Sequence, residues 1–364
     1  MAVDMSSRSA ASVRLPCSTT VTNTQVAASR SMVYDDLCNK YSTELNFINR
    51  NAVNTVPGID SSPLETRMNR FLPRLLNRLL APALALGVVA TAAAQAPASP
   101  LTVKVINADA GSFHVNAVLV TGKTEAVVID SGFTRADALR IAAQVLDSGK
   151  TLKTIFISNA DPDFYFGAEV LKGLFPQAQL LTSPAVRDKI QAKMAGKVAF
   201  WGPKMGTNGP RQPLLPDALT GTTLSVDGEA IELRGTTGLL AHRPWMYIPS
   251  SRAIVGNIAI VGNLHVWTAD TQQLAEREAW RAQLAEMLAL QPALVVPGHM
   301  AAGTALDASS IRYTLDYLTR FEAELPKAAN AAALIATLQQ AYPQAGLGIA
   351  LDIGAKVNKG EMAW

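Results

Sequence analysis

The most informative stretch of this chain is SNADPDFYF, residues 158–166. It follows the apolar run 154–157, which predicts a buried strand, and it precedes residues 167–173, which predict the start of a helix. Two aspartates, Asp161 and Asp163, therefore lie in a loop between a strand and a helix. Ligands of α/β proteins collect at such loops, outside the carboxyl ends of strands. The stretch therefore predicts a functional loop.

Residues 68–94 have the layout of a secretory signal peptide. A basic stretch, residues 68–78, precedes the apolar run 79–94, which ends in small residues before Gln95. The apolar run is shorter than the roughly 20 residues of a bilayer span, so a cleaved signal is favoured over an uncleaved anchor. We therefore expect a periplasmic or secreted protein with no stable membrane anchor after cleavage. Residues 1–67 are expected to be a disordered extension or upstream translation from a misassigned start.

Charge and cysteine usage change once residues 1–94 are set aside. The full chain has a formal net charge of +3, whereas the remaining part holds equal numbers of basic and acidic residues. Nucleic acid is therefore not an expected partner. Both cysteines, Cys17 and Cys38, lie in the N-terminal part, so residues 95–364 can form neither a disulfide nor a Cys-ligated metal site. About 270 residues remain, which is enough for one large layered domain.

Strand-like and helix-like runs alternate through residues 95–364. Strands are predicted at residues 103–106, 115–120, 126–129, 154–157, 179–182, 223–226, 230–234, 245–248, 253–255 and 293–296. Helices are predicted at residues 135–146, 167–173 and 271–290, and from residues 184, 307 and 330. Residues 202–216 are rich in Gly and Pro and predict an irregular loop, and residues 356–359 are interpreted as a solvated tail. The pattern predicts an α/β fold with two sheets covered by helices, a four-layer αββα sandwich.

Polar loops follow four of the predicted strands. These loops are Asp130-Ser131-Gly132, residues 159–163, Gly256-Asn257 and Pro297-Gly298-His299. Because the strand ends of one fold lie near one another, side chains from distant parts of the sequence are expected to meet there. The sequence therefore predicts a site at these loops.

The succession of these motifs resembles the metallo-β-lactamase superfamily over nearly all of residues 95–364. SNADPDFYF occupies the place of the family's His-x-His-x-Asp-His loop, and residues 256–267 resemble a Gly-Asp-x-x-x-x-Gly-x-His-x-Trp segment of a secreted branch. The resemblance implies one or two Zn²⁺ ions between the sheets and a metal-bound hydroxide that attacks the substrate. This branch includes hydrolytic dehalogenases.

The resemblance assigns roles to individual residues. Asp163 is the retained aspartate, which binds metal and accepts the nucleophile's proton, and His299 is a late metal ligand. Asn257 takes the place of the bridging aspartate. Asn159, Asp161 and Phe164 stand where the family has histidines, and only Asp161 of these offers a carboxylate. The implied ligand set is Asp161, Asp163, Asn257 and His299, with His242 as a fifth candidate.

This oxygen-rich set suits one ion better than two, either Zn²⁺ or Mn²⁺. The catalytic candidates are Asp163 and Asp161. The substrate-binding candidates are His265, Trp267 and Trp201. Each residue also has a structural interpretation, because an aspartate before a helix is an ordinary N-cap and an asparagine after glycine is an ordinary turn residue.

Two functions follow from these observations. The first is an exported metal-dependent hydrolase that acts on a small organic molecule, through an ester, a lactam or lactone, or a halo-aromatic bond. The alternative is a non-catalytic periplasmic binding or scaffold protein that keeps the fold. A thioester hydrolase is a weaker rival, because export separates it from cytosolic thiol cofactors. Convergence of the polar residues at 161, 163, 257 and 299 within metal-ligand distance, about 2.0–2.2 Å, discriminates the enzyme from the scaffold, and the enzyme interpretation fails if Asp163 and His299 point apart.

Overall fold

The computed structural model describes residues 101–364. The predicted extension, residues 1–67, and the predicted signal peptide, residues 68–94, lie outside the described residues. Among the residues described, no helix combines the length and apolar character needed to cross a membrane.

The first sheet begins with an antiparallel meander and continues with parallel strands. Its six strands lie in chain order, with β1–β2 and β2–β3 antiparallel and the later pairs parallel. The strands are β1 (Thr102–Asn107), β2 (Asn116–Thr121), β3 (Glu125–Ile129), β4 (Thr151–Ile157), β5 (Gln179–Thr182) and β6 (Asp217–Ala218). The parallel arrangement brings the ends of β3 and β4 to the same edge.

The second sheet is mainly antiparallel and has the order β12-β10-β9-β8-β7. Its strands are β7 (Thr223–Val226), β8 (Glu229–Arg234), β9 (Trp245–Ile248), β10 (Ala253–Val255) and β12 (Leu294–Val295). A separate parallel pair joins β11 (Val261–Gly262) to β13 (His299–Met300). This pair carries a histidine predicted for the site.

Helices cover the outer face of each sheet. On the first sheet lie α1 (Arg135–Ser148), α2 (Pro162–Tyr165), α3 (Ala168–Leu174) and α4 (Pro184–Met205). On the second lie α5 (Leu274–Ala289), α6 (Ser309–Glu324), α7 (Ala331–Ala341) and α8 (Gly348–Asn358).

Three buried apolar clusters separate the resulting layers. One joins the first helical layer to its sheet, one fills the space between the sheets, and one joins the second sheet to its helices. Val120, Phe156, Ile231 and Met246 belong to the central cluster, and alternate residues of their strands supply the other faces. The predicted four-layer αββα sandwich is confirmed.

Local sequence explains where the first-layer helices begin. Thr134 caps α1 through a capping box with Asp137, whose carboxylate also accepts a hydrogen bond from Ser112 Oγ at 2.6 Å. Ser183 caps α4, and Pro184 follows at the first helical position, where its missing N–H costs nothing.

Two segments differ from the sequence-based expectation. The residues 202–205 continue α4 rather than starting an irregular loop, because Pro203 falls in the last turn of a long helix. Residues 356–359 are not a solvated tail: α8 extends to Asn358, and Val357 is buried because the last helix packs on the second sheet's apolar layer. The sequence of α8 is short and begins at a glycine, so it showed little of the periodicity that predicts a helix.

Gly167 marks the closest approach between the predicted functional loop and its neighbour. A Cβ at this position would lie 2.0 Å from the carbonyl oxygen of Ser131, a backbone atom. Gly173, six residues further on in α3, has open space where its Cβ would be. The backbone contact therefore requires glycine at 167 and not at 173.

Gly167→Ala should lower the free energy of unfolding by roughly 2 kcal/mol or more, because the backbone at Ser131 has to move. Gly173→Ala should be neutral or stabilising by up to about 1 kcal/mol, since alanine favours the helix. Urea unfolding of the two variants and the parent measures both effects. Equal stability of the two variants would contradict the close approach.

Candidate active site

Asp163 and His299 come from opposite halves of the described chain and meet at the strand ends. Asp163 lies in α2, after β4, and His299 begins β13. β13 pairs with β11, and His299 also forms a bridge with Val115. His299 Nε2 lies 3.5 Å from Asp163 Oδ2, and both side chains are largely buried. We call these two residues the Asp163–His299 pair.

A backbone carbonyl determines the tautomer of His299. The Nδ1 atom lies 2.9 Å from the carbonyl oxygen of Phe113. Because a carbonyl can only accept, Nδ1 must carry the proton and donate it. In a neutral imidazole Nε2 is then bare, and it faces the carboxyl group of Asp163.

Burial shifts both groups of the pair toward their neutral forms. Loss of solvation, followed by the negative charge of Asp161, raises the pKa of Asp163 to about 8. Loss of solvation lowers the pKa of His299, while the hydrogen bond to Phe113 and the charge of Asp161 oppose that shift. Near neutral pH the pair therefore holds one exchangeable proton between a carboxyl group and an imidazole.

Asp130 holds the strand ends beneath the pair. Its carboxylate accepts hydrogen bonds from the backbone N–H and the hydroxyl of Ser158, both at 2.7 Å. Burial raises the pKa of Asp130 to about 8, although the two Ser158 hydrogen bonds oppose the shift. Asp130 thus supports the loop rather than facing the pair directly.

Asp161 has a role different from helix capping. It occupies the N-cap position of α2, but its side chain caps no backbone N–H of the described helix. One carboxylate oxygen lies 3.7 Å from Lys197 Nζ of α4. Asn159 holds the loop from the other side, since its Oδ1 accepts from the backbone N–H of Asp161 at 2.9 Å.

The amide of Asn257 is committed to the backbone. Its Nδ2 donates to the carbonyl of Val296 at 3.0 Å, and its Oδ1 accepts from the N–H of Ile260 at 2.8 Å. The side chain therefore ties the loop after β10 to the loop after β12. Metal ligation would require its oxygen to give up the bond to Ile260.

The described residues do not fit a metal ion with three protein ligands. No group of three or more His, Cys, Asp or Glu side chains within residues 101–364 is arranged to hold an ion. Phe164 occupies space beside the pair, because its ring packs edge-on against His299 with centroids 5.4 Å apart. Asp161 faces Lys197, which competes for its carboxylate. Of the four predicted ligands, the structure brings only Asp163 and His299 into contact.

The predicted substrate-binding residues lie in three different surroundings. His265 is buried and its Nδ1 lies 3.0 Å from the hydroxyl of Tyr317, within the layer beneath α6. Trp267 donates its indole N–H to Asp270 at 2.7 Å. Trp201, in α4, packs edge-on against Phe113, whose carbonyl accepts from His299. Trp201 is therefore one contact away from the Asp163–His299 pair.

Several residues around the site were not predicted from the sequence. Lys197 faces Asp161, and Asp270 accepts hydrogen bonds from the indoles of Trp267 and Trp364. The four-residue spacing from Lys189 to Lys193, Lys197 and Trp201 was a usable signal, since it places these side chains along one side of a helix. No local pattern links Trp364 to Asp270, because their contact depends on the tertiary fold.

His242, the fifth metal candidate, lies apart from the pair's immediate contacts. Burial, followed by the charge of Lys189, lowers its pKa to about 4. The other charges acting on it belong to Arg243, Asp270 and Lys193. Two of these charges, Lys189 and Lys193, belong to α4.

Comparison with known proteins assigns this chain to a family. Residues 110–299 match the Metallo-beta-lactamase superfamily, and this match covers more than half of the chain. The chain belongs to the metallo-beta-lactamase superfamily. No curated protein sequence matches it.

A solved structure supports this architecture. A metallo-beta-lactamase family protein from Thermus thermophilus is 17% identical, with a TM-score of 0.51, and the alignment covers 72% of this chain and 92% of that one. A metallo-beta-lactamase from Pontibacter korlensis is 18% identical, with a TM-score of 0.44, over 61% of this chain and 96% of that one. At these identities the likeness to the first structure shows the fold alone.

Membership suggests a metal-dependent hydrolase, and members of the superfamily typically bind zinc. The donor set found among residues 101–364 does not match that expectation.

Ionisation of Asp163 should lower the free energy of unfolding as the pH rises from 6.5 to 8. Its pKa is about 8 in the folded protein and near 3.8 when unfolded, so the folded state holds a proton that the unfolded state has lost. The stabilisation is present below pH 4 and disappears as pH approaches 8. The pKa of His299 is lowered on folding from about 6.5, so His299 opposes this slope near pH 6.5 and adds little above about pH 7.5. Because His299 is present in both the parent and Asp163→Asn, it does not determine their difference.

Asp163→Asn should therefore become more stable relative to the parent by roughly 1 kcal/mol per pH unit across this window. Urea unfolding at several pH values measures the difference. Asp188→Asn, at an exposed position on α4, controls for the loss of one carboxylate. Parallel pH curves for the parent and Asp163→Asn would show that Asp163 is ionised when folded.

Proposed function

We propose that this protein is an exported hydrolase of a small organic molecule, in which the Asp163–His299 pair transfers the proton of the attacking water. The observation that carries the proposal is the buried contact of 3.5 Å between His299 Nε2 and Asp163 Oδ2. Buried acid–base pairs with opposing pKa shifts are typical of catalytic sites.

The pair acts as a general base in its deprotonated form. A carboxylate at Asp163 beside a neutral imidazole accepts a proton from water, and the hydroxide formed adds to the substrate carbon. The same proton is then available for the leaving group of an ester, a lactam or a lactone. In a halo-aromatic substrate, the hydroxide replaces halide and the pair releases its proton to solvent.

Export is part of the proposal. The basic and apolar segments of residues 68–94 support secretion or transport to the periplasm. The balanced charge of residues 95–364 favours a small-molecule substrate over nucleic acid. Such a protein would carry no stable membrane anchor after cleavage.

A non-catalytic binding or scaffold protein is the second candidate. Two observations favour it. Phe164 packs against His299, and both ends of the Asn257 amide form hydrogen bonds with the backbone. Both arrangements fill positions beside the pair with side chains that hold structure together. A folded protein without hydrolytic activity would support this candidate.

Asp163→Asn and His299→Gln should each lower kcat/KM by about a hundredfold or more, because either change removes a proton-transfer group. An ester, lactam, lactone and halo-aromatic screen, started with protein beginning at Gln95, identifies the assay substrate. Asp188→Asn serves as the matched control and should retain parent activity. Thermal unfolding verifies that each variant is folded.

Metal content should be measured on the same preparations. We expect hydrolysis to survive chelator treatment, because the donor set does not fit a tightly held ion. An equivalent of zinc or manganese whose removal abolishes activity would overturn the metal-independent part of the proposal. Activity unchanged in both pair variants would overturn the role of the pair.

The pH dependence of hydrolysis should follow the proton of the pair. Because the base is the deprotonated form and the pKa of Asp163 is about 8, kcat/KM should rise nearly tenfold per unit below pH 8 and level off above it. Initial rates between pH 6 and about 9.5 measure the profile. A rate that falls across this range would instead assign the pair as a general acid.

A further inference from the structure

The helix α1, in the first helical layer, is apolar on two separate sides. Its buried side packs in the cluster between this layer and the first sheet and consists of Ala138, Ile141, Ala142 and Val145. Its second apolar side faces solvent, where Leu139 is 52% exposed and Leu146 is 67% exposed. A helix on the surface of a globular protein ordinarily has one apolar stripe. The second one therefore marks an interaction surface.

The exposed side has the residue spacing of a helix–helix seam. Leu139, Ala143 and Leu146 are separated by four and three residues, which places them along one line of the helix. Ala143 is also exposed, and the half-buried Ala136 continues the line three residues before Leu139. We call these four residues the α1 stripe. Two leucines on either side of a small alanine can interdigitate with the side chains of a second helix.

The other exposed leucines of the described chain do not form such a line. Among residues 101–364, they are Leu174 at the end of α3, Leu239 between β8 and β9, and Leu274 at the start of α5. Each lies on a different element, and single exposed leucines are normal on a protein surface. The α1 stripe differs from them because it carries two leucines on one line of one helix.

Charges beside the α1 stripe match a second copy of this chain. Arg140 follows Leu139 and Asp147 follows Leu146, so both charges project along the same edge of the stripe. In an antiparallel pair of α1 helices with its two-fold axis at Ala143, Asp147 of the second copy lies level with Leu139 of the first. The axis keeps both charged edges on one side, so Arg140 of each copy faces Asp147 of the other.

Both charged side chains are accessible for this contact. The side chain of Arg140 is 64% exposed, although its Nη1 donates to Asp137 Oδ1 at 2.8 Å. A guanidinium group has five N–H donors, so the bond to Asp137 leaves donors for a second carboxylate. Asp147 is exposed in the last turn of α1. The edge of the α1 stripe therefore offers one cation and one anion to a second copy.

We propose that two copies of this protein associate through the α1 stripe, with antiparallel α1 helices, Leu139 and Leu146 in the seam, and Arg140 of each copy facing Asp147 of the other. The helix has 14 residues and is therefore only about 21 Å long. A helix pair of this length covers less than the roughly 800 Å² per partner of a standard interface, so we expect a dimer with a Kd of about 10–100 µM. The proposal does not depend on the proposed function, because α1 contains neither Asp163 nor His299.

Sedimentation equilibrium of the full chain between about 1 µM and about 500 µM measures this association. Leu139→Gln should raise the Kd of the dimer by about tenfold or more, because it places an amide in the seam of each copy. Leucine and glutamine have similar helix propensities, so α1 itself should be unaffected. Leu274→Gln is the matched control, since Leu274 is 53% exposed on another helix, and it should leave the Kd within about twofold.

A charge exchange tests the antiparallel arrangement. Asp147→Lys should raise the Kd by about fivefold at low ionic strength, because a lysine there faces Arg140 of the other copy. Adding Arg140→Glu to Asp147→Lys should restore the parent Kd to within about twofold, because opposite charges face each other again. Thermal unfolding at about 1 µM, where the monomer predominates, verifies that each variant is folded. A cation in the last turn of a helix is favourable, so Asp147→Lys should be at least as stable as the parent.

Each other result decides against the proposal. A parent that remains monomeric up to about 500 µM would overturn it. Association that Leu139→Gln leaves unchanged, or that Leu274→Gln weakens equally, would overturn it too, because another surface would then be responsible. A double variant that associates no better than Asp147→Lys would overturn the antiparallel pairing of Arg140 with Asp147.

Discussion

The hydrogen bonds between the loop after β3 and the loop after β4 are the constraint on which the site depends. Asp130 accepts two bonds from Ser158, and Ser131 donates through both its N–H and its hydroxyl to the carbonyl of Phe164. Gly167 completes the junction by donating to Gly132. Because these bonds are buried, water cannot replace them when one is lost. They fix the backbone on both sides of Asp163.

That junction holds the backbone through groups other than the side chains at 159, 161 and 164. The backbone bonds at Ser131 and Gly167 do not require histidine in the loop, so Asn159, Asp161 and Phe164 are compatible with the same architecture. The side chains of these three residues contact, in that order, a backbone N–H, a lysine and the ring of His299. What remains at the strand ends is a carboxyl group against an imidazole, which is suited to holding a proton.

The sequence predicted the layers and the convergence of loops because both follow from periodicity and strand direction. The sequence did not predict which side chains form hydrogen bonds or ion pairs with one another. Asn257 looked like a ligand from its position after β10. Its bond to Ile260, three residues on, is the local turn that the sequence also allowed, whereas its bond to Val296, 39 residues away, depends on the tertiary fold. Asp161 stood at an ordinary capping position, and only the packing of α4 shows that it faces Lys197. The helix α8 was missed because its sequence is short and apolar on most sides.

Trp364, the last residue of the chain, packs against a segment that is linked to the Asp163–His299 pair by charged side chains. The superfamily match ends at residue 299, whereas Trp364 lies beyond it and binds Asp270. Trp267 meets Trp364 edge-on, with ring centroids 5.1 Å apart, so the chain's last residue is packed against a segment inside the match. Asp270 in turn acts on Arg243 and on Lys197, which reaches the loop of Asp163 through Asp161. Of these residues only Trp364 lies outside the matched range, and it reaches the Asp163–His299 pair only through Asp270, Lys197 and Asp161. A change at Trp364 can therefore alter the charges around the pair without disturbing the junction of β3 and β4.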